Sequence, residues 1–392
     1  MFVLHLFTET LEKKKILYNS WTNLMSTKKD KFSLKDKSYM EIALKLANSR
    51  QGLTGPNPSV GCVIVKNDEI ISIGQTAFNG RPHAEFNAIK NCFNDLIGSK
   101  MYVTLEPCCH HGLTPPCTDL IIKSKISEVI YSVTDIDKRV RNKSFKILKS
   151  NGVKVRKGLL VDKINNFYSA YFFNRRNKLP YVTGKIAVSK NNLIYSKLNK
   201  KITNIHSDKF THLLRYKNDG LMVSYKTLNK DNSKLNCRIK GFNTYSPKRI
   251  ILDNKLKTKI NSYVIKSANT DNTIIFYNQA NKSKILDFKK KKIKLIRSKI
   301  NKKGKFDIKT ILKKLYKYNC RNLLVEGGDI LTNHLLKRKI FNKFYLYKSP
   351  KNLPKDTEYL KFNSLDILKK KYKEKLNLNL FLGKDKITLY KR

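Results

Sequence analysis

Pro107-Cys108-Cys109-His110-His111-Gly112-Leu113-Thr114-Pro115-Pro116-Cys117 follows a β-forming run, Met101-Tyr102-Val103-Thr104-Leu105, and leads into a helix-compatible one, Thr118–Ile122. Upstream stands His83-Ala84-Glu85, continued by the helix-compatible Phe86–Ile89. One His and two Cys supply the three N/S ligands of a zinc site whose fourth position stays open for water. Glu85, two residues past His83, is a carboxylate outside the ligand set, placed to shuttle protons between that water and a base under hydrolysis. His83 and Glu85 are predicted at a helix start, where backbone N–H groups face the site. Cys108 is predicted just past a strand end and Cys117 at a second helix start, a position that favours the thiolate form. The bland reading is a buried His with two inert buried Cys. Order, Pro107 and the strand and helix signals on either side weigh against it.

The rest of the chain alternates in the same way. Helix 38–49, strands 61–65 and 70–73 around Asn67-Asp68, strand 129–133, helix 144–150 and strand 153–156 describe a sheet covered by helices. A helix over 161–175 leads to the break Lys178-Leu179-Pro180. A second alternation begins with strand 181–188, helix 207–216 and strands 221–223, 249–252 and 273–277. It continues with helix 308–318 and a buried strand pattern, Leu323–Val325, that runs into Glu326-Gly327-Gly328 and a further helix pattern. Glycines between a strand and a helix let backbone approach a phosphate; a tight turn that merely needs glycine is the equal alternative. The predicted organisation is an extension over 1–34, a first domain over 35–160, a connecting helix and linker over 161–179, and a second α/β domain over 180–392.

Composition narrows the class. The net charge is +53, from 82 basic and 29 acidic residues. Nucleic-acid binding is one reading of that charge, but Lys, Asn and Ile are abundant throughout and Arg is sparse. Solvated Lys faces from biased codon usage explain it better, and no specific nucleic-acid partner is expected. Lys289-Lys290-Lys291-Lys292 is predicted to be an exposed edge or loop. No apolar run approaches the roughly 18 residues of a membrane span. Seven irregularly spaced Cys argue against a disulfide framework and for a reducing, cytoplasmic setting. Met1–Leu24 reads as a detached extension, with Met25 as the expected true start.

The ten-residue Cys108–Cys117 segment departs from the Cys-x-x-Cys that ends the general zinc-deaminase signature. Pro-Cys-x-His-x-Gly-x-Thr-Pro-Pro-Cys resembles the deaminase half of the bifunctional riboflavin biosynthesis family, as does Gly55-Pro56-Asn57-Pro58-Ser59-Val60-Gly61. The second half resembles the reductase of the same family. Matches are Lys185, Ala187 and Ser189; Ile202-Thr203; Leu214-Arg215; Asp219; Thr227 and Asp231; Leu235 and Arg238; Arg249 and Asp253; and Glu326-Gly327-Gly328. The resemblance implies a three-layer cytidine-deaminase-like domain followed by a dihydrofolate-reductase-like domain. It implies Zn2+ on His83, Cys108 and Cys117, Glu85 as the proton shuttle, and NADPH as the second cofactor. Asn57, Thr114, Arg215, Leu235, Arg238 and Glu326 are implied substrate contacts, with the two arginines on the 5′-phosphate. Ala187, Thr227, Asp231, Gly327 and Gly328 are implied cofactor contacts. The implied substrate is a small pyrimidine, 2,5-diamino-6-ribosylamino-4(3H)-pyrimidinone 5′-phosphate, first deaminated and then reduced from ribosyl to ribityl.

Departures fall at Asn191-Asn192 (Asp-Gly in the family), Asn199 (Ser), Lys201 (Trp) and Leu113 (a basic residue near the substrate phosphate). A deaminase with a weakened reductase half and a tRNA adenosine deaminase-like enzyme are the competing readings. A homo-oligomer is left open.

Overall fold

A computed structural model describes residues 31–199, 201–378 and 383–392. The expected start at Met25 and the segment Met1–Leu24 lie outside the described residues. Helix α1 (Leu34–Ser49) is capped by Ser33, whose hydroxyl accepts the Asp36 N–H while the Asp36 carboxylate accepts the Ser33 N–H. This reciprocal cap starts the helix earlier than the predicted Ser38, because the cap and not the apolar period sets its first turn.

Strands β1 (Gly61–Lys66) and β2 (Glu69–Gln75) form a hairpin. Then follow α2 (Ala84–Lys90), β3 (Lys100–Leu105), α3 (Cys117–Lys123), β4 (Glu128–Val133), α4 (Lys143–Ser150) and β5 (Lys154–Lys157). The sheet order is β2-β1-β3-β4-β5, antiparallel around β1 and parallel from β3 to β5. Every residue of β4 is buried, as a parallel strand covered on both faces requires. Helices α2, α3 and α4 pack side by side. Helix α1 is bridged to α5 (Val161–Asn177) by Lys163 and Glu41. The three-layer arrangement puts the start of α2, the end of β3 and the start of α3 together at one edge of the sheet.

Helix α5 ends at Lys178 in a left-handed conformation, φ 54°. Asn174 Nδ2 donates to Leu179 O and Arg321 O at 2.8 and 2.9 Å, pinning the connection to the second half. That half runs β6 (Tyr181–Val188), β7 (Leu193–Ser196), α6 (Ile205–Tyr216), β8 (Gly220–Ser224), α7 (Tyr225–Asp231), β9 (Lys248–Leu252), α8 (Tyr263–Lys266), β10 (Thr273–Tyr277), α9 (Lys282–Lys290) and β11 (Lys294–Arg297). It continues with α10 (Ile308–Lys317), β12 (Asn322–Val325), α11 (Asp329–Lys337), β13 (Lys343–Lys348), β14 (Tyr359–Lys361), α12 (Leu365–Lys371), β15 (Glu374–Asn377) and β16 (Lys386–Lys391). The nine-stranded order is β11-β10-β9-β8-β12-β6-β13-β16-β15, with β7 and β14 paired separately. Strands β11 through β13 in that order are parallel, so β12 sits inside with β8 and β6 as parallel neighbours.

Several elements are absent from the sequence reading, among them β7, α7, α9 and β13–β16. Strands β7 and β14 are only four and three residues long, lysine breaks the apolar period of α7 and α9, and β15 is exposed along its whole length. The Lys289–Lys292 run was expected to be an edge or loop. In part it is helical: Lys289 and Lys290 finish α9, whose N-cap Asn281 accepts the Lys284 N–H, and only Lys291-Lys292 form the exposed turn.

The two halves are docked by aromatic and polar side-chain contacts. Phe78 stacks on Tyr245 with centroids 5.7 Å apart and planes 5° off parallel, and Lys217 Nζ donates to Asn48 Oδ1 at 3.2 Å.

Two candidate active sites

The first site lies at the edge just described. His83 is the N-cap of α2 and Cys117 the first residue of α3. His83 Nδ1 lies 3.4 Å from Cys108 Sγ and 3.5 Å from Cys117 Sγ. Tetrahedral bonds of about 2.0–2.1 Å to N and about 2.3 Å to S place N and S roughly 3.5 Å apart. The three side chains therefore already stand at the edges of a zinc tetrahedron, and the donor set fits that metal. The Cys117 N–H points at Cys108 Sγ from 3.3 Å, a donor that favours thiolate. Cys108 is held down to about 4 by the bond to the Cys117 thiol, despite burial, with His83 adding to the effect. Cys117 is pushed up by the same shared bond and by burial. The pair thus holds one thiolate readily, and a metal's charge is what a second one needs. Cys109 turns away and donates to Arg139 O, so the adjacent cysteine is not a third sulfur ligand.

Glu85 is 4% exposed. Burial pushes its carboxyl up to about 7, against the pull of His83. Asn57 Nδ2 donates to Gly80 O at 3.2 Å. Gly80 has φ +90°, and a Cβ there would stand 2.5 Å from Asn57 Nδ2; only glycine lets the turn close on Asn57. Thr114 Oγ1 accepts a hydrogen bond from Arg81 Nη1, a residue the sequence reading did not select. Its signal was its place two residues before His83. The Nδ1 atom of His110 is buried without a hydrogen-bond partner among the described residues. Leu113 is 89% exposed at the tip of the loop.

The second site is a cleft of about 1010 Å³ at the carboxyl ends of β6, β8 and β12, where ligands of open parallel sheets bind. Ala187, Thr227, Asp231, Leu235, Arg215, Glu326, Gly327 and Gly328 all line it. Arg238 does not line it; its Nη1 donates to Asn236 Oδ1 beside the cleft. Neither Gly327 nor Gly328 has a positive φ, so a turn is not what demands glycine here. At Gly328 a Cβ would meet nothing closer than Thr227 Oγ1 at 3.9 Å: it would project into open cleft, at the N-cap of α11.

Arg215 and Glu326, both expected to contact the substrate, meet in this cleft. Its Nε and Nη2 fork onto the two oxygens of Glu326 at 2.8 Å each, and Nη1 donates to Asn236 O at 3.1 Å. The guanidinium expected on the 5′-phosphate thus also holds the Glu326 carboxylate in the wall of the cleft. Burial opposes the Glu326 charge, but Arg215 overrides it and holds the group at about 2. Lys185, matched to the family's first strand but given no role, also lines the cleft. Its Nζ lies 4.7 Å from the Tyr347 ring centroid; burial lowers its pKa while Glu326 raises it.

The departures have structural answers. Asn192 adopts φ 61°, the left-handed conformation that Asn tolerates in place of glycine. Asn191 accepts from Ser189 Oγ and Leu353 N and donates to Leu353 O, tying the β6–β7 turn to the segment before β14. Lys201 is exposed, 3.9 Å from Asp208, and does not line the cleft. Asp219 accepts the N–H groups of Arg321 and Asn322, and Asp253 those of Lys257 and Thr258; both acids organise strand ends.

Residues 33–133 match the cytidine and deoxycytidylate deaminase zinc-binding region, and residues 184–375 match the RibD C-terminal domain. The riboflavin biosynthesis protein RibD of Actinobacillus pleuropneumoniae is 35% identical over 321 residues, 81% of this chain and 85% of that one. The chain belongs to the RibD family. RibD of Aquifex aeolicus is 31% identical over 91% of this chain and 98% of its own. The structure also superposes on the Thermotoga maritima diaminohydroxyphosphoribosylaminopyrimidine deaminase/5-amino-6-(5-phosphoribosylamino)uracil reductase. There the TM-score is 0.76 at 27% identity, covering 91% of this chain and 98% of that one. A RibD protein pairs a zinc-dependent deaminase domain with an NADPH-dependent reductase domain, and both domains are present here. Among the described residues, no helix is long and apolar enough to cross a membrane.

Proposed function

We propose that this chain deaminates 2,5-diamino-6-ribosylamino-4(3H)-pyrimidinone 5′-phosphate and then reduces the ribosyl group of the product to ribityl, working in the cytoplasm. The division would fall at α5, with residues 35–160 and 180–392 as the working units. The observation that carries the reading is the His83–Cys108–Cys117 cluster, whose donor atoms lie within 4.8 Å of one another beside the buried carboxylate of Glu85.

Zinc on those three residues would supply a water acidic enough to act near neutral pH. Glu85 would accept a proton from the attacking water and pass it to the ring nitrogen, then take the remaining proton of the added hydroxyl and give it to the amine, which leaves as ammonia as the C–N bond breaks and the carbonyl forms. Asn57, held by Gly80, would fix the ring edge, and His110 would offer its unpartnered Nδ1 to the substrate. In the cleft, Gly327 and Gly328 would admit the NADPH phosphates against the start of α11, with Ala187, Thr227 and Asp231 along the cofactor. Glu326, oriented by Arg215, would face the sugar beside Lys185. Leu235, held at φ 50°, would shape the substrate side, and Arg215 and Arg238 would be the cations for the 5′-phosphate. NADPH held in the cleft would supply the hydride that C1′ accepts once the ribosylamine ring C–O bond has opened to the imine, whose nitrogen takes a proton.

The purified chain is expected to carry about one zinc by metal analysis, as a single tetrahedral site requires, and C117S to lose it. Zinc-free wild-type protein would sink the first half of the reading. G328V is expected to raise the KM for NADPH at least tenfold while ammonia release stays unchanged; equal loss of both activities would point to misfolding rather than a filled cofactor site.

A further inference from the structure

This inference rests on the proposed deaminase reaction. The loop that carries both cysteine ligands is crossed by a cation. Arg81 is half-buried, and its Nη1 donates to Thr114 Oγ1. A Cβ on Gly112 would stand 3.5 Å from its Nη2. The guanidinium therefore lies along residues 112–114, between Cys108 and Cys117, on the segment that leads through Pro82 to His83. No carboxylate lies within ion-pair distance of it among the described residues; of the other half-buried arginines of the metal-site domain, Arg156 is matched to Asp36 and Glu128 and Arg50 is covered by the Phe78 ring. One hydroxyl engages one of its five N–H donors, which leaves a planar fork open. A partly desolvated guanidinium with no counter-charge, at the mouth of a site whose substrate is a phosphate ester, is built to receive an anion. The tip residue of the same loop, Leu113, is exposed and cannot supply that charge.

We propose that Arg81 binds the 5′-phosphate of the deaminase substrate and makes this chain selective for the phosphorylated pyrimidine, taking the part for which residue 113 offers no cation. Thr114 orients the guanidinium, and the phosphate takes the open donors.

The test compares ammonia release from the phosphorylated substrate and from the same compound with its phosphate removed, using the zinc-loaded full chain. R81L is expected to raise KM for the phosphorylated compound by about tenfold to a hundredfold, the scale of lost charge-assisted hydrogen bonds. The dephosphorylated compound is expected to change by less than about threefold, since it makes none of those bonds. Competitive inhibition by ribose 5-phosphate should weaken in parallel. Adding L113K to R81L is expected to restore selectivity, which a folding defect would not allow. Equal shifts for both compounds would mean that Arg81 only positions the loop, and no shift would mean that it does neither; either overturns the inference. Wild-type protein that holds zinc yet releases no ammonia would instead overturn the deaminase reading.

Discussion

E85Q lowers the rate of ammonia release by about 10²–10⁴-fold, the range of general acid–base catalysis, and leaves the zinc content unchanged. The amide is close in size to the carboxylate, so the 4% exposed pocket around it need not repack. It cannot accept a proton from water and return it to nitrogen. The zinc ligands are untouched, since the cluster is made by His83, Cys108 and Cys117 alone. The loss should fall on kcat more than on KM, because the substrate contacts proposed for Asn57, Thr114 and the loop would be unchanged. NADPH oxidation with the deaminated intermediate added directly should be unaffected. A variant that keeps more than a tenth of wild-type deamination would remove Glu85 from the role given to it.

R215M is expected to destabilise the second half by about 3–5 kcal/mol, the cost of stranding one partner of a buried ion pair. The Arg215 and Glu326 side chains are 11% and 16% exposed, so solvent does little to screen the remaining carboxylate. The double variant R215M/E326L should recover part of that loss, since neither charge is then left alone. Glu326 also sets a pH signature. Its folded value, about 2, lies below its ordinary 4.5. Its contribution is therefore fully present above 4.5 and is lost as pH falls toward 2. Urea unfolding of E326Q should show a shallower loss of stability across that window than the wild type. Identical acid limbs would mean that the pair contributes nothing to folding. Reduction should fail in R215M even where the chain is folded, because Glu326 loses the fork that aims it.

Much of this was readable from residue types. Three candidate zinc ligands and a carboxylate at helix and strand ends carry their chemistry in their spacing, and the fold places the three donor atoms within 4.8 Å of one another. Helix α5 and strand β6 announced themselves because Tyr168, Phe172, Val182 and Ile186 are buried at regular intervals. The later strands did not, because Lys375, Lys386 and Lys391 interrupt a pattern that sheet pairing, not local sequence, completes. The pairing of Arg215 with Glu326 was hidden for a related reason. A sequence shows an arginine's charge but not which carboxylate, 111 residues away, already occupies it. Arg81 was overlooked because its importance lies in a missing counter-charge, which exists only in three dimensions. The glycines at 327 and 328 could be read as turn or cleft until their φ angles excluded the turn.

The most direct test is a single coupled assay on the zinc-loaded full chain with the diaminopyrimidine ribosyl phosphate, run with and without NADPH. Ammonia should appear in both reactions, and NADPH should be consumed in step with the deaminated product in the second. Ammonia without NADPH oxidation would contradict the claim that the cleft at Glu326-Gly327-Gly328 is a working reductase site, and no ammonia in either would contradict the account as a whole.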